Sequence, residues 1–570
     1  MKATIKLSAI AILCFSFISC ENFLKEELIS DVSAGSYYTT PQGFEDAVKA
    51  TYSEMKFFWG PERGFTMTVF GTDVHTNGAD GSHKPINFYD GGLNPAQAFV
   101  QETWRDFYRG INQANAAINR SQNIEMDENL KTSRLAEVRF LRALYYFTLV
   151  QFYGDIHLTL EETEGVEVDA NRTPASEVYK AIIADLEAAI QVLPATQSDY
   201  GRATKPAAEF LLAKVYATRG YQTYAESGDF QKCETLMTSV ISNYGFQLLD
   251  NFGKLWDQDN QRNSEVIFAV QNSKALADTR IDTEGNRGHL YFLMEYDVRP
   301  GMTRDTQNGR PWKRFRPTDF ALSLWNRDID SRYDYSYKHA FLSNNAGTIP
   351  KWTQAEADAG YVDASKVGQA KYALGDTAFF IPGPGRDHLW PAERKARTRY
   401  IVYTQAEDYS EKVFPSLNKF IDPRRPDRQH EPGSRDLVLM RLADAYLMRA
   451  EARFMQNNLD GAAADINVVR ERAAWPGKEA DMMISASDVT IDYILDERAR
   501  ELDGEMHRWF DLARVKIGGV SKLVERVRLH NPQAAPNIQD YHIFRPIPQN
   551  QIDRTLGGYS QNCGYPGAGC

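Results

Sequence analysis

The sequence feature that most constrains the fold is the return of apolar residues every three or four positions in several long stretches. Over 135–152 this spacing is kept throughout, and Gly154 directly after it is a typical residue for ending a helix. The same pattern recurs over 178–193, over 207–219 and over 437–454. A helix with one apolar stripe is stable when that stripe packs against another element. The pattern therefore predicts a set of amphipathic helices that pack against one another.

These helices group into antiparallel pairs. Helical hairpins are predicted at about residues 100–153, 174–243 and 436–474, and a further long helix is predicted from Ile491 to Val515. Stacked antiparallel pairs form a solenoid. No strict period of about 34 residues is visible, so the pattern alone supports a TPR-like arrangement only loosely. The predicted fold class is mainly α.

Between about residues 245 and 435 the periodicity breaks down. Gly, Pro and Asn become frequent there, which favours loops with short strands. Five of the nine tryptophans fall in this segment, namely Trp256, Trp312, Trp325, Trp352 and Trp390. A long irregular segment in a compact protein usually carries function. The sequence therefore predicts a helical region over 20–244, an irregular ligand-binding lobe over 245–435 and a second helical region over 436–570.

The N-terminus has the pattern of a signal peptide, predicted as residues 1–19. Lys2 and Lys6 precede an apolar run over 7–18, and Cys20 follows it closely. The run of about 12 residues is too short to cross a hydrocarbon core, which needs roughly 20 helical residues. The residues before the cysteine resemble a bacterial lipobox, although an ordinary signal peptide with a chance cysteine is the alternative. We expect Cys20 to be acylated and to anchor the chain to a membrane.

The overall charge and the cysteines narrow the class of protein further. The chain has 570 residues and a formal net charge of −11, which argues against nucleic acid or anionic lipid as the main partner and favours a neutral ligand. Cys563 and Cys570 flank a Gly- and Pro-rich loop, so a local disulfide is predicted there. Cys233 lies in a helical pattern and is predicted to be a small buried residue.

Six stretches, spread over the whole chain, match one known family in order. They are RGINQANAAI (109–118), AEVRFLRALYYFTLVQFYGDIHL (136–158), RATKPAAEFLLAKVYATRG (202–220), RLADAYLMRAEA (441–452), ILDERARELDGEMHRWFDLAR (494–514) and FRPIPQNQID (544–553). Together with the lipobox, they resemble the SusD/RagB family of outer-membrane nutrient-binding lipoproteins.

The resemblance implies both a fold and a function. The fold would be an α-superhelix of about four TPR-like helix pairs, packed against an irregular, loop-rich lobe with short strands. The function would be capture of oligosaccharide or polysaccharide at the cell surface, and its delivery to a TonB-dependent, SusC-like outer-membrane transporter without catalysis. Because the matching stretches belong to the framework and the lobe matches poorly, the resemblance does not identify the sugar that is bound.

Charged residues on the apolar helix stripes are predicted to be structural. They are Glu137, Arg139 and Arg142 on one helix, and Glu497, Arg498, Arg500 and Glu501 on another. Such a charge is normally paired with an opposite charge on the next helix. Hydrolysis of a sugar would need two carboxylates on either side of the bond, and neither a phosphate-binding P-loop nor a nucleophile elbow occurs. No catalytic residue is therefore predicted.

Two spacings imitate metal sites without completing them. The stretch Asp73–Gly78 alternates ligands as in the first half of an EF-hand loop, but Lys84 stands where the closing glutamate should be. His507 and Asp511 lie four apart on a helix without a third ligand. No cofactor is predicted, and a structural calcium ion stays unassigned.

Sugar capture requires a flat apolar platform for a sugar ring and planar polar groups for adjacent hydroxyls. Two stretches carry aromatic residues together with such groups. In the first they are Asn77, Asp80, His83, Asn87, Phe88 and Tyr89, and in the second Tyr291, Tyr296, Arg310, Trp312, Arg314 and Trp325. In the family that the chain resembles, a loop at the first position and residues of the irregular lobe hold the glycan. We therefore predict that the two stretches lie together, with core packing as the alternative for each aromatic residue taken singly.

Two other functions are open on the sequence alone. A secreted glycoside hydrolase would show a pair of carboxylates in a cleft. A TPR-like scaffold that binds only protein would show a concave groove without an aromatic platform. The lipobox, the order of the matching stretches and the aromatic loops favour the glycan-binding lipoprotein.

Overall fold

The computed structural model describes residues 37, 39–163, 165–272, 275 and 285–570. The predicted signal peptide and the predicted acylation site at Cys20 lie outside these residues. Within the described ranges no helix is long and apolar enough to cross a membrane.

The described part of the N-terminal half contains six long helices. They are α1 (Pro41–Ser53), α2 (Ala98–Arg120), α3 (Glu128–Tyr153), α4 (Ala175–Val192), α5 (Lys205–Arg219) and α6 (Asp229–Asn243). Thr40, Asp127 and Thr204 cap three of them, because each side chain accepts a hydrogen bond from the backbone N–H three residues on. Gly154, at a φ of 72°, ends α3. The three helices predicted in this half are confirmed, and each begins earlier than predicted.

The C-terminal part corrects two predicted boundaries. Its helices include α7 (Leu442–Met455), α8 (Leu459–Ala473), α9 (Ile491–Leu502), α10 (Arg508–Arg514) and α11 (Lys522–His530). The residues from Leu437 to Arg441, predicted as the start of a helix, form a strand because their backbone pairs with another strand. The single helix predicted over Ile491–Val515 is broken, since Gly504 and Met506 adopt positive φ angles.

Consecutive helices pack side by side into a superhelix. α1 packs on α2, α2 on α3, and the series continues through α4, α5 and α6. α6 then packs directly on α7, which packs on both α8 and α9. The chain between α6 and α7 is therefore an insertion into the superhelix, which resumes at residue 442. The mainly α, TPR-like class predicted from the sequence is confirmed.

Short strands connect the lobe internally and to the helices. They are β1 (His75–Asn77), β2 (Val266–Val270), β3 (Phe315–Pro317), β4 (Tyr337–Lys338), β5 (Ala340–Leu342), β6 (Thr377–Phe380), β7 (Ile401–Val402), β8 (Ser416–Leu417), β9 (Leu437–Arg441), β10 (Lys516–Ile517) and β11 (Val520–Ser521). β1 pairs with β3, β2 with β9, β4 with β8 and β10 with β11, while β5, β6 and β7 form one sheet. Short helices fill the connections, at Glu62–Thr68, Pro85–Phe88, Gly288–Tyr291, Asp319–Ser323, Arg332–Ser336, Gln354–Asp358, Ala392–Ala396, Gln405–Asp408, Glu479–Met482 and Gln549–Arg554.

The main hydrophobic core runs through the superhelix and continues into the lobe. Tyr291, Phe315 and Trp325 of the lobe belong to it. A separate apolar cluster beneath the three-stranded sheet contains Tyr296 and Phe341. Aromatic residues of the lobe therefore complete the core as well as the surface.

Buried ion pairs join the lobe to the helices. Arg441, at the end of β9, contacts Glu501 at 2.6 Å and Glu505 at 2.7 Å. Arg332 contacts Glu497 at 2.7 Å. Burial opposes ionisation of Glu497, but Arg332 and neighbouring arginines outweigh it and lower the pKa of this carboxyl to about 2. The prediction that these charges are structural is confirmed.

Two of the three charges predicted on α3 are arranged in the same way, whereas Arg139 is half-exposed and has no ion-pair partner in the described ranges. Arg142 donates to both carboxylate oxygens of Asp185 at 2.8 Å. Glu137 is fully buried and contacts Arg134 at 2.7 Å and Arg202 at 2.9 Å. These pairs fix α3 against its neighbours.

The cysteines lie as the sequence predicts. Cys563 and Cys570 form a disulfide, with their sulfur atoms 2.00 Å apart. Cys233 is buried in α6, and burial raises the pKa of its thiol.

Candidate functional site

A cleft of about 510 Å³ lies where α2, the loop after β1 and the segment before β3 meet. It is lined by Phe57, Pro61, Glu62, Arg63, His83, Phe99, Glu102, Arg105, Asp106, Arg287, Trp312 and Arg314. We call it the Trp312 cleft. His83 comes from the first predicted stretch, and Trp312 and Arg314 come from the second. The structure therefore brings the two stretches together.

The pairing of β1 with β3 explains this proximity. Beyond the strand ends, the N–H of Gly78 donates to the Arg314 carbonyl at 2.9 Å, and that of Asp80 to the Lys313 carbonyl at 3.3 Å. The Asp80 carboxylate also lies 3.0 Å from the Lys313 ammonium. A side chain at Gly78 would place its Cβ 2.2 Å from the Lys313 carbonyl oxygen, so the close approach requires glycine.

Trp312 is half-buried and surrounded by cations. Its indole packs on Tyr291, with ring centroids 5.9 Å apart. The guanidinium groups of Arg287, Arg310 and Arg314 lie 4.7, 5.6 and 4.8 Å from the indole centroid. Contacts of this kind stabilise one orientation of the ring.

Carboxylates in turn orient these arginines. Arg287 and Arg310 both contact Glu431, with Arg310 Nη1 at 2.7 Å. Arg314 Nε lies 2.8 Å from Glu62. Burial raises the pKa of Glu62, and the charges of Arg314 and Arg287 offset only part of that effect. The guanidinium planes at the indole are thus fixed before any ligand arrives.

On the α2 wall of the cleft, the carboxylate of Asp106 is shared by several arginines. Asp106 lies 2.6 Å from Arg63 and 2.8 Å from Arg105. Arg109 lies 3.3 Å from the same carboxylate, and Glu102 contacts Arg63 at 3.0 Å. Positive and negative groups are therefore paired along this wall. A wall of paired donors and acceptors suits a neutral, hydroxyl-rich ligand.

His83 is a neutral imidazole at the edge of the cleft. Its ring stacks on Phe99 with centroids 3.5 Å apart, and its Nδ1 lies 3.0 Å from Gln97 Nε2. Burial, followed by the charge of Arg314, lowers the pKa of His83 to about 4. Because the Gln97 amide donates to Nδ1, the neutral ring carries its proton on Nε2.

Three aromatic residues predicted for the site belong to the core instead. Tyr291 and Tyr296 have no exposed surface, and Trp325 is 6% exposed. Tyr296 stacks on Phe341 and Trp325 packs edge-on against Tyr333, in both cases with centroids 5.5 Å apart. These rings complete the apolar core beneath the loops, so none of them offers a face to a ligand. Their predicted place on the binding surface is corrected.

Most of the first stretch shapes the loop rather than lining the cleft. Asn77 and Asn87 are fully buried, and Asn87 accepts a hydrogen bond from Asn531 at 3.1 Å. Tyr89 is also buried, and its hydroxyl donates to a backbone carbonyl at 2.7 Å. Phe88 is half-buried outside the cleft. The predicted ligand contacts of Asn77, Asn87 and Tyr89 are therefore corrected, because all three side chains are buried.

The sequence interpretation missed the α2 wall. Phe99, Glu102, Asp106 and Arg109 recur at steps of three and four residues, which places them on one face of the helix. A polar stripe that begins with an aromatic residue, beside the apolar stripe of the same helix, is the signal that identifies this wall.

The carboxylates of Asp73 and Asp511, which belong to the two metal-like spacings, form ion pairs with arginines. Asp73 contacts Arg508 at 2.6 Å and Arg526 at 2.7 Å. Asp511 contacts Arg498 at 2.8 Å. In the described part of the chain, no group of three or more His, Cys, Asp or Glu side chains could hold a metal ion.

The fold and the site define a class: a helical-repeat superhelix that carries a loop-built lobe and an arginine-lined aromatic cleft. The sequence model of the SusD family matches residues 243–565, which is more than half of the chain. A second model, described as starch-binding associating with outer membrane, matches residues 61–217. The chain therefore belongs to the SusD family.

Individual relatives agree over most of the length. SusD-like protein P2 of Formosa agariphila is 26% identical over 575 residues, covering 97% of this chain and 98% of the relative. Starch-binding protein SusD of Bacteroides thetaiotaomicron is 26% identical over 462 residues, covering 80% and 76%. The solved structure of a laminarin-binding SusD-like protein has a TM-score of 0.65 at 24% identity, covering 93% of this chain and 100% of that protein. The structural likeness establishes the shared fold.

Proposed function

We propose that this protein binds a neutral oligosaccharide or polysaccharide in the Trp312 cleft. One observation carries the proposal: an oriented indole and fixed guanidinium groups line a cleft of about 510 Å³. An indole face packs against the C–H face of a sugar ring, and forked polar groups reach adjacent hydroxyls. The names of two relatives, a starch-binding protein and a laminarin-binding protein, support the same ligand class.

Binding proceeds without catalysis in this proposal. The two relatives are named as binding proteins. On the α2 wall, Glu102 and Asp106 are both engaged by Arg63, at 3.0 and 2.6 Å. A glycoside hydrolase needs two carboxyl groups that act on the glycosidic bond from either side, whereas these two carboxylates contact the same arginine.

Affinity electrophoresis tests binding directly. We expect native gels that contain a neutral polysaccharide, with starch and laminarin as the first two of a panel, to retard the full chain relative to a gel without polysaccharide. Chromatography of the polysaccharide after incubation should show an unchanged length. Free migration through every gel of the panel contradicts glycan binding, and release of shorter fragments contradicts binding without catalysis.

The location follows from the N-terminus and the family. We propose that acylated Cys20 anchors the protein at the outer membrane, facing the cell surface, and that the captured glycan passes to a SusC-like TonB-dependent transporter. The short apolar run before Cys20 supports cleavage there, and the second matching model is described as associating with the outer membrane. Radiolabelled palmitate should enter the full chain and be absent from the Cys20→Ala variant, and label that survives this substitution refutes the anchor.

A further inference from the structure

The carboxylate of Glu431 contacts two of the arginines that surround the Trp312 indole. It forms an ion pair with Arg287, and its Oε1 lies 2.7 Å from Arg310 Nη1. Glu431 does not line the Trp312 cleft, and its side chain is 24% exposed. One partly buried carboxylate therefore holds two guanidinium groups, which lie 4.7 and 5.6 Å from the same indole centroid.

The backbone of Glu431 is held against the segment that carries Arg287. The Glu431 carbonyl accepts a hydrogen bond from His289 Nε2 at 2.7 Å. Two residues on, the N–H of Gly433 donates to the Asn286 carbonyl at 2.8 Å. A Cβ at Gly433 would lie 2.5 Å from that carbonyl oxygen, so the close approach requires glycine. Because Asn286 and Arg287 are neighbours in the chain, this pairing brings Glu431 to Arg287.

The charge of Glu431 acts on the lining of the cleft although the residue lies outside it. Among the described residues, the lining carries four arginines and three carboxylates, and Glu431 is paired with one of these arginines, Arg287. Burial raises the pKa of Glu62, a lining residue, and the charge of Glu431 adds to that rise. The electrostatic effect of Glu431 therefore reaches the space that a ligand would fill.

Without the charge of Glu431, positive charge would be in excess beside the indole. Arg287 and Arg310 would lose the carboxylate that they share, while Glu62 would remain in contact with Arg314 at 2.8 Å. Like charges repel one another, and a cleft with an excess of one sign attracts ligands of the opposite sign. A carboxylate that offsets these arginines thus disfavours an anionic ligand and keeps the guanidinium groups oriented for a neutral one.

We propose that Glu431 sets the selectivity of the Trp312 cleft for neutral over anionic glycans. It is a positioning residue, because it orients Arg287 and Arg310 and offsets their charge without touching the ligand itself. The inference rests on the proposed function in taking the Trp312 cleft as the glycan site. It adds to the substrate class the exclusion of acidic sugar units, those that carry a uronate or a sulfate ester.

Calorimetric titration with a matched pair of oligosaccharides tests the selectivity. The first member is the starch or laminarin oligosaccharide whose polymer retards the protein in affinity gels. The second is the same oligosaccharide with its primary hydroxyls oxidised to carboxylates. We expect Glu431→Gln to bind the neutral member more weakly and the carboxylated member more tightly, so that the ratio of affinities shifts by about tenfold or more. A shift of this size is expected when one charge is removed roughly 10 Å from the ligand.

Two further variants separate the charge of Glu431 from a structural role. Glu431→Asp keeps the charge and should keep the ratio close to that of the wild type. Asp334→Asn is the matched control, because Asp334 is 25% exposed and contacts Arg327, whose guanidinium carbon lies 4.6 Å from the Tyr333 centroid, outside the cleft. It removes one charge from a similar arginine–aromatic pair and should leave both affinities unchanged.

Three results of these titrations would overturn the proposal. The first is an unchanged ratio in Glu431→Gln, including equal weakening of both members, which would show that the residue only supports the fold. The second is a shift in Glu431→Asp as large as that in Glu431→Gln. The third is an equal shift in Asp334→Asn.

Iodide quenching of fluorescence gives a measurement that needs no glycan. The emission of Trp312 is obtained as the difference between each chain and the same chain with Trp312→Phe. We expect Glu431→Gln to increase the quenching of this emission by iodide, because an anion gathers at guanidinium groups that have lost their carboxylate. Quenching by uncharged acrylamide should stay the same. Equal iodide quenching in the variant and the wild type overturns the proposal.

The two measurements distinguish failure of this inference from failure of the proposed function. If no neutral polysaccharide retards the wild type, the proposed function fails, whereas iodide quenching still supports or overturns the charge role of Glu431. If the neutral oligosaccharide binds and the ratio does not shift in Glu431→Gln, the proposed function stands and this inference fails.

Discussion

The arginines of the superhelix and those of the Trp312 cleft share one chemistry but have different surroundings. Arg142 on α3 is buried, and it donates to Asp185 and to Asn115 at 2.8 Å. Arg105 on α2 has a side chain that is 65% exposed, and its Nε contacts Asp106 at 2.8 Å. A buried arginine with saturated donors supports the frame, whereas an exposed one with a single partner keeps donors for a ligand. For Arg142 and Arg105, burial rather than residue type separates the two roles.

Arg142→Ala should have the largest effect, a loss of stability. If the variant were as stable as the wild type, the comparison between the two kinds of arginine would not hold. The substitution leaves Asp185 buried without its partner, which costs about 3–5 kcal/mol of the free energy of unfolding. We expect a lower urea midpoint and melting temperature, with glycan retention unchanged while the protein is folded. Arg139→Ala is the control, because Arg139 is half-exposed on the same helix with no ion-pair partner in the described ranges, and it should lose less than about 1 kcal/mol. A variant at Arg142 with normal stability and no glycan binding would reverse the assigned roles.

Trp312→Ala should have the next largest effect, on binding instead of stability. Loss of a stacking aromatic residue in a binding site costs about 2 kcal/mol, or roughly 30-fold in Kd. Trp390→Ala is the matched control, because Trp390 is half-buried beneath Arg394, whose guanidinium carbon lies 4.2 Å from its ring centroid, outside the cleft. Affinity gels should distinguish the two variants, and both should melt like the wild type. A clearly lower melting temperature for Trp312→Ala would assign this indole to the core.

The effect of His83→Gln should be visible in the pH dependence of stability. The pKa of His83 falls from 6.5 to about 4 on folding. As the pH falls, His83 of the unfolded chain is protonated near pH 6.5, whereas His83 of the folded chain is protonated only near pH 4. The contribution of His83 to the free energy of unfolding is therefore fully present above pH 6.5 and is lost as the pH falls toward 4. Urea unfolding between pH 7 and 4 should therefore show a steeper loss for the wild type than for the variant. His289, His507 and His542 have lowered pKa values as well, and they cancel in the comparison. Parallel stability curves would contradict the assignment.

The helices of the superhelix could be predicted more completely than the binding site, because the sequence pattern of a helix is local. The spacing over 135–152 predicts α3, since every residue of a helix turn lies within four positions of its partners. The strand at Leu437–Arg441 could not be predicted in the same way, because its partner β2 begins at Val266, far away in the chain. The apolar run at Leu437–Arg441 is compatible with a helix or a strand until that partner is known.

The cleft could be predicted only in part for a related reason. His83, Trp312 and Arg314 were found because each lies in a polar, turn-rich stretch that also carries aromatic residues. Tyr296 and Trp325 lie in similar stretches, yet Phe341 and Tyr333 cover them. The binding role of Asp80 and Arg310 stays a prediction, since both stand near the cleft without lining it.

The sequence by itself determined the helical frame, the local disulfide and the membership in one family, because periodicity, short loops and ordered motifs are written in neighbouring residues. The tertiary structure alone decided which aromatic residues are core and which are presented, and that α2 supplies the second wall of the Trp312 cleft. It also decided which arginines have their hydrogen-bond donors paired within the protein. The physical reason is that burial and pairing depend on elements far apart in the chain, which only folding brings into contact.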